Sequence, residues 1–326
     1  MNHFDSLGIV KPRVAVIIPA YKVRDSIVGV VEQIGSEVDT IIVIDDGCPQ
    51  DTGNYLRKHS SDPRLTILTH AENRGVGGAM KTGYQYGLSL DLDIFVKLDG
   101  DGQMDSNRIK TLIKPLVDRF ADYSKGNRFF SVEQIHLMPK KRILGNIILS
   151  FFSKISSGYW NIFDPNNGFT AINRLALERI SIEKLSERYF FESDMLFRLN
   201  LARAVVVDIA MPPIYGDEVS NLSIKRTLFE FPLKHTRNFM KRLIYSYGLR
   251  DFSVASLEII IGTILILFSS VYGIYNLQHS YYLDQPTEVG TLILIAMSFL
   301  SGLQLLLSFL AFDIENVPRT PISKFE

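Results

Sequence analysis

Apolar residues in the first third of the chain fall into two alternating rhythms. Short continuous runs of aliphatic and β-branched residues, Val14–Ile18, Thr40–Ile44, Leu65–Leu68 and Ile94–Leu98, read as strands buried on both faces. Between them the apolar positions take helical spacing. Asp25–Ile34 sets Ile27, Val30, Val31 and Ile34 on one face behind a cap at Asp25 or Ser26, and Asp51–Ser60, Gly75–Leu90 and Ile109–Phe120 read as further helices. This alternation predicts an α/β fold, a mostly parallel sheet with helices on both faces. Ligands of such sheets bind at the carboxyl ends of strands. The polar clusters Asp45-Asp46, Asn73–Gly78 and Asp99–Asp101 each follow a strand, so they are expected in one crevice.

The pattern changes near the C-terminus. Phe252–Tyr275 carries one charge, Glu258, and Val289–Phe312 carries none. Each exceeds the ~20 residues needed to cross a hydrocarbon core, so both are expected to be transmembrane helices. The connector between them holds Asp284 and Glu288 but no Lys or Arg, whereas Lys225, Arg226, Lys234, Arg237, Lys241, Arg242 and Arg250 precede the first span. Positive charge stays inside. That predicts a multi-pass protein of the inner (plasma) membrane, with both termini and a large N-terminal domain in the cytoplasm. The pairs Ser269/Gly273 and Ser298/Gly302 are spaced to let the spans pack, and a homo-oligomer through the hairpin is compatible with them. Residues 224–252 form a basic amphipathic stretch, with Pro232 suited to a helix start, that reads as an interfacial helix. The expected division is a catalytic domain 1–222, amphipathic juxtamembrane helices 223–251, and a membrane hairpin with a short tail 252–326.

Composition narrows the function. Lys and Arg number 35, as do Asp and Glu, and the isoelectric point is near 7.0; a nucleic-acid binder should show a basic excess. A single cysteine, Cys48, excludes an internal disulfide framework and a multi-Cys metal site, and the six histidines show no metal spacing.

Asp99-Gly-Asp101 is the sharpest chemical signal. Two carboxylates at i and i+2 beyond a buried strand, followed by Gln103, can present oxygens to one hard cation, Mg2+ or Mn2+; the bland alternative is a solvated Asp-Gly turn. Asp45 and Asp46 stand where a carboxylate can bind the ribose or base of a nucleotide. The glycines of Asn73–Gly83 permit close backbone approach to a ligand at a helix N-terminus. The run fits neither a P-loop nor a dinucleotide fingerprint.

Taken together, Val-Ile-Ile-Pro-Ala-Tyr (16–21), Ile-Asp-Asp-Gly (44–47), Asn-Arg-Gly-Val-Gly-Gly-Ala (73–79) and Asp-Gly-Asp-Gly-Gln (99–103) resemble the family-2 inverting glycosyltransferases of the Rossmann-like GT-A fold. Gly126-Asn-Arg128, Lys140-Lys-Arg142 and Asp164-Pro-Asn-Asn-Gly-Phe169 are similar to elements of the polyprenyl-phosphate glycosyltransferases, the group containing dolichol-phosphate mannose synthase. The resemblance implies transfer of a sugar from a nucleoside-diphosphate sugar, UDP-linked in preference to GDP-linked, to a polyprenyl phosphate in the bilayer. It implies donor contacts from Pro19, Ala20, Tyr21, Asp25, Asp45, Asp46, Gly75, Lys81, Asp99 and Gln103, and a metal on Asp101 with Asp99 and Gln103. The acceptor phosphate falls to Arg128, Lys140, Lys141 and Arg142. Asp194, with Glu192 second, is the candidate base or acceptor-orienting carboxylate. Two other readings stay open, a transferase with a hydroxyl acceptor and an inactive membrane scaffold. The Gln-x-x-Arg-Trp motif of processive synthases is absent, Trp160 being the only tryptophan.

Overall fold

The computed structural model describes residues 11–130, 140–211 and 224–325, without the side chains of 140–142, 144 and 224–229. Two compact units divide the chain, residues 1–239 with 318–326, and residues 240–317.

The first unit is built on a seven-stranded sheet. Its strands are β1 (Val14–Ala20), β2 (Thr40–Asp45), β3 (Leu65–Thr69), β4 (Ile94–Lys97), β5 (Tyr123–Asn127), β6 (Thr170–Asn173) and β7 (Val206–Ala210), in spatial order β3-β2-β1-β4-β6-β5-β7. β6 runs antiparallel to β4 and β5, and every other pair is parallel. The four strands expected from apolar runs are present. The other three were not legible as such: β5 reads Tyr-Ser-Lys-Gly-Asn, and β6 has four residues.

The helices are α1 (Ile27–Glu32), α2 (Thr52–His59), α3 (Val76–Ser89), α4 (Ile109–Val117), α5 (Lys140–Ser157), α6 (Arg174–Arg179), α7 (Phe191–Leu201) and α8 (Ile224–Leu243). Val14, Val16 and Ile18 point into a core shared with Ile27, Val30 and Val31 of α1 and with Ile109, Leu112 and Leu116 of α4. Ile17, Ile42 and Phe95 point the other way, to α3, where Gly83 and Gly87 let the helix ride close; a Cβ on Gly83 would stand 2.3 Å from Ile17. With both faces covered, the strands read as unbroken apolar runs. Pro232 lies inside α8, not at its start, since the helix already begins at Ile224.

Residues 318–325, placed with the hairpin by sequence, pack within the first unit. Asp122, just ahead of β5 and fully buried, accepts hydrogen bonds from the Ile322 amide (3.0 and 2.9 Å), the Val205 amide (2.8 Å) and Asn173 Nδ2 (3.0 Å).

In the second unit α9 (Val254–Leu283) and α10 (Val289–Glu315) are both long and apolar enough to cross a membrane. They pair antiparallel, Glu258 accepting from Ser308 Oγ (2.7 Å) and Gly262 lying against Gly302. A Cβ on either glycine would come within about 3 Å of the opposite backbone oxygen. Gly302 was among the expected packing residues; its partner Gly262 was not. α9 also runs beyond the expected end at Tyr275, leaving residues 284–288 as the connector. Near the other end, Asp313 receives Arg242 through two hydrogen bonds (2.5 and 3.0 Å) and the Tyr247 hydroxyl (2.5 Å), all three side chains being buried.

Replacing Asp122 with alanine strands several buried donors, each costing ~1–3 kcal/mol. Asp122→Ala should lower the melting temperature and expose the chain near residue 318 to protease before the rest of the first unit. A tail still protected in that variant would show that Asp122 is not its anchor.

Candidate active site

The carboxyl ends of β1, β2 and β4 share one edge of the sheet. Pro19, Ala20 and Tyr21 lie there beside Asp45-Asp46 and Asp99–Gln103. Asp101 Oδ1 accepts from the Gln103 amide (2.9 Å), closing a turn in which Gly102 has φ +78. Ser26 Oγ donates to Gly100 O (2.7 Å), fixing that turn to the start of α1, where neighbouring Asp25 is exposed.

β4 carries a fully buried lysine. Lys97 Nζ contacts Asp99 Oδ1 (2.7 Å), Glu192 Oε1 (3.4 Å) and Gly168 O (3.3 Å). Burial opposes its charge, but Asp99 and Glu192 outweigh burial and hold the ammonium above its ordinary range. A second buried lysine, Lys125 of β5, donates to Asp164 O (2.6 Å) and Asn167 O (2.8 Å). Here burial prevails over the attraction of Asp164 and Asp208, and the pKa falls to about 8. Sequence reasoning passed over both lysines. A charge inside the strand Ile-Phe-Val-Lys was the available signal.

Asp45 and Asp46, expected to meet a nucleotide, spend their described bonds on protein. Asp45 accepts from the Cys48 amide (2.9 Å) and the Gly53 amide (2.6 Å). Asp46 accepts from His70 Nδ1 (2.7 Å) and the amides of Arg74 (3.0 Å) and Gly75 (2.7 Å). Both carboxylates are buried, so they shape the loops around the crevice. At Gly77 and Gly78 the glycine run likewise admits protein backbone. A Cβ on Gly77 would stand 2.0 Å from Ser186 O, and the Gly78 amide donates to Glu187 O (2.9 Å). Lys81 is buried against Glu187 (3.3 Å).

The first turn of α7 holds both candidate carboxylates. Asp194 is filled by the Ser186 amide (3.0 Å), Arg198 Nε (3.1 Å) and Asn238 Nδ2 (3.1 Å). It braces α7 to Ser186 and to α8. Glu192 instead shares the Lys97 ammonium with Asp99. Arg128 meets Asp164 through Nε (2.8 Å) and Nη2 (3.0 Å), so two of its donor positions are already engaged. The side chains of Lys140, Lys141 and Arg142 lie outside the described residues.

As hard oxygen donors, Asp101, Asp99 and Gln103 suit a divalent cation. Among the described residues no three His, Cys, Asp or Glu side chains gather as a complete metal cage.

The acidic turn thus stands at the carboxyl ends of the strands of a mostly parallel sheet, where such α/β folds bind their ligands. The chain belongs to the glycosyl transferase family 2, whose model matches residues 15–181. A UDP-N-acetylglucosamine–dolichyl-phosphate N-acetylglucosaminyltransferase of Methanococcus voltae is 27% identical, over 62% of this chain and 85% of that protein. A polyprenol monophosphomannose synthase of Mycolicibacterium smegmatis is 30% identical, over 57% and 71%. The fold is similar to glucosyl-3-phosphoglycerate synthase of Mycobacterium tuberculosis, solved with Mn2+ and UDP, at TM-score 0.51 and 17% identity over 74% of this chain and 81% of that one.

α8 is further held by His235, whose Nδ1 lies 2.7 Å from Ser156 Oγ of α5 and whose ring packs on Phe190. Burial lowers its pKa to about 4 from an ordinary 6.5. Between those values the unfolded chain takes up a proton that the folded one refuses, so this contribution is complete above pH 6.5 and lost as pH falls toward 4. The melting advantage of the wild type over His235→Gln should narrow across that window, by up to about 3 kcal/mol. A constant gap would show that His235 does not titrate this way.

Proposed function

We propose that this protein transfers a sugar from a nucleoside-diphosphate sugar, UDP-linked in preference to GDP-linked, to the phosphate of a membrane polyprenol. The observation that carries the reading is the Asp99–Asp101 turn at the end of β4, in a family-2 chain that also holds two membrane-length helices. The names of the Methanococcus and Mycolicibacterium relatives support the acceptor.

In this reading Asp101, with Asp99 and Gln103, would hold a divalent cation, Mg2+ or Mn2+, whose charge would offset that of the donor diphosphate. An acceptor phosphate oxygen attacks the anomeric carbon, the bond from that carbon to the diphosphate breaks, and the nucleoside diphosphate leaves with the electron pair, inverting the centre. A phosphate is already ionised at neutral pH, so positioning and charge neutralisation matter more than a base. Arg128, oriented by Asp164, holds the acceptor phosphate together with Lys140, Lys141 and Arg142. Pro19, Ala20, Tyr21 and Asp25 border the nucleotide, around walls shaped by Asp45, Asp46, Gly75 and Lys81. Glu192 replaces Asp194 as the candidate carboxylate, on the donor side of the site beside Asp99, because Asp194 is occupied as a brace.

Asp101→Asn should cut transfer at least about a hundredfold, ~2.7 kcal/mol of barrier, with unchanged melting. The assay follows radiolabel from the sugar nucleotide into solvent-extractable lipid. Glu192→Gln should also slow turnover in a folded protein, whereas Asp194→Asn should chiefly lower stability. Near-normal activity of Asp101→Asn would sink the metal assignment, and label reaching only hydroxyl acceptors would favour the alternative transferase.

We further infer a hairpin with both ends and the catalytic unit in the cytoplasm, supported by the basic residues before α9 and by the return of residues 318–325 to the first unit. In a Cys48→Ser background, a cysteine introduced by Gln285→Cys should react with a membrane-impermeant thiol reagent on intact cells. Labelling only after lysis would reverse the orientation or remove the hairpin.

A further inference from the structure

The transfer chemistry leaves the two buried lysines without a duty. Lys97 of β4 and Lys125 of β5 both lie opposite Thr170 of β6 in the sheet register. Residues directly opposite across strands project from the same face, so the two ammonium groups stand in one row across three strands. Both hold the same short segment through its carbonyls, Lys125 at Asp164 and Asn167, Lys97 at Gly168. That segment touches both halves of the site. At one end Asp164 grips Arg128. At the other, Gly168 lies so close that a Cβ would stand 2.3 Å from Lys97 Nζ and 2.8 Å from Asp99 Oδ2.

Stability alone does not explain the row, because apolar residues of similar volume often replace buried charges without loss. The partners of the two lysines differ. Lys97 faces two carboxylates, Asp99 and Glu192, which would repel each other without it. Lys125 bonds only backbone carbonyls, one of them belonging to the residue that orients Arg128.

We propose that Lys97 and Lys125 are positioning residues with separate duties, Lys97 setting Asp99 and Glu192 for the donor nucleotide and Lys125 setting Asp164, and through it Arg128, for the acceptor phosphate. The division of duties rests on the function proposed above. A merely structural pair would act otherwise: since both lysines hold one segment, loss of either would disturb both subsites together.

The test uses full-length protein in nanodiscs, with Lys97→Met and Lys125→Met as near-isosteric, uncharged replacements. UDP affinity in the presence of Mn2+ is measured by calorimetry, and the KM for polyprenyl phosphate by transfer. A charge-assisted hydrogen bond lost corresponds to roughly ten- to a hundredfold. Lys97→Met should weaken UDP by at least about tenfold with the acceptor KM within about twofold. Lys125→Met should do the converse. Lys97→Met/Glu192→Gln should regain part of the UDP affinity, because one carboxylate no longer repels the other; a structural prop predicts no such recovery. If Lys125→Met does not fold, Asp164→Asn reads the same link from its far end and should raise the acceptor KM alone. Equal changes in both constants, or no change in either, overturn the proposal. Wild-type protein that binds UDP but does not transfer to polyprenyl phosphate sinks the acceptor reading and the Lys125 half with it, while the Lys97 half still stands or falls on calorimetry.

Discussion

An ammonium group shut inside a sheet must bring its counter-charges in with it, and Lys97 imposes that condition at the end of β4. Removing an ion from water costs several kcal/mol unless nearby charge and hydrogen bonds offset it. Asp99 and Glu192 supply the charge, and Gly168 supplies a carbonyl. Three separate pieces of chain are thereby drawn to one point: the acidic turn after β4, the first turn of α7 and the segment before β6. None could move far without stranding a charge, so the turn after β4 is tied to α7 and to the segment before β6. Lys125 stands two strands further along the same row, and Asp164 links it to Arg128.

Elsewhere the first unit uses buried carboxylates as brackets. Asp46 clamps the glycine loop, Asp194 joins α7 to α8, and Asp122 collects the C-terminal tail with β7. Each carboxylate accepts several N–H groups, which suits an ion that must be satisfied on more than one lone pair. Several acidic residues near the crevice are therefore engaged in holding loops and helices together.

The helical pair obeys different rules. Lipid offers no hydrophobic incentive for two apolar helices to associate, so close backbone approach and a few polar contacts carry the packing. Gly262 against Gly302 provides the first, and Ser308 with Glu258 the second. The buried Arg242–Asp313–Tyr247 cluster closes the end of the pair where α10 finishes.

Hydrophobic periodicity was enough to reveal the α/β class, the first four strands and the two long apolar helices, because local burial on both faces leaves an unmistakable apolar run. The order of motifs was enough to show the transferase resemblance and the acidic turn. Periodicity could not reveal β5, β6 and β7, which are short or polar and become strands only through their neighbours. Nor could it say which acidic residues are spent on the protein's own amides. Asp46 and Asp194 look as available in sequence as Asp99, and only the approach of donors distant in the chain distinguishes them. Lys97 and Lys125 lie 28 residues apart, yet the antiparallel insertion of β6 between β4 and β5 sets them in one row. Strand order is a long-range property of the sheet, and no local pattern of residues encodes it.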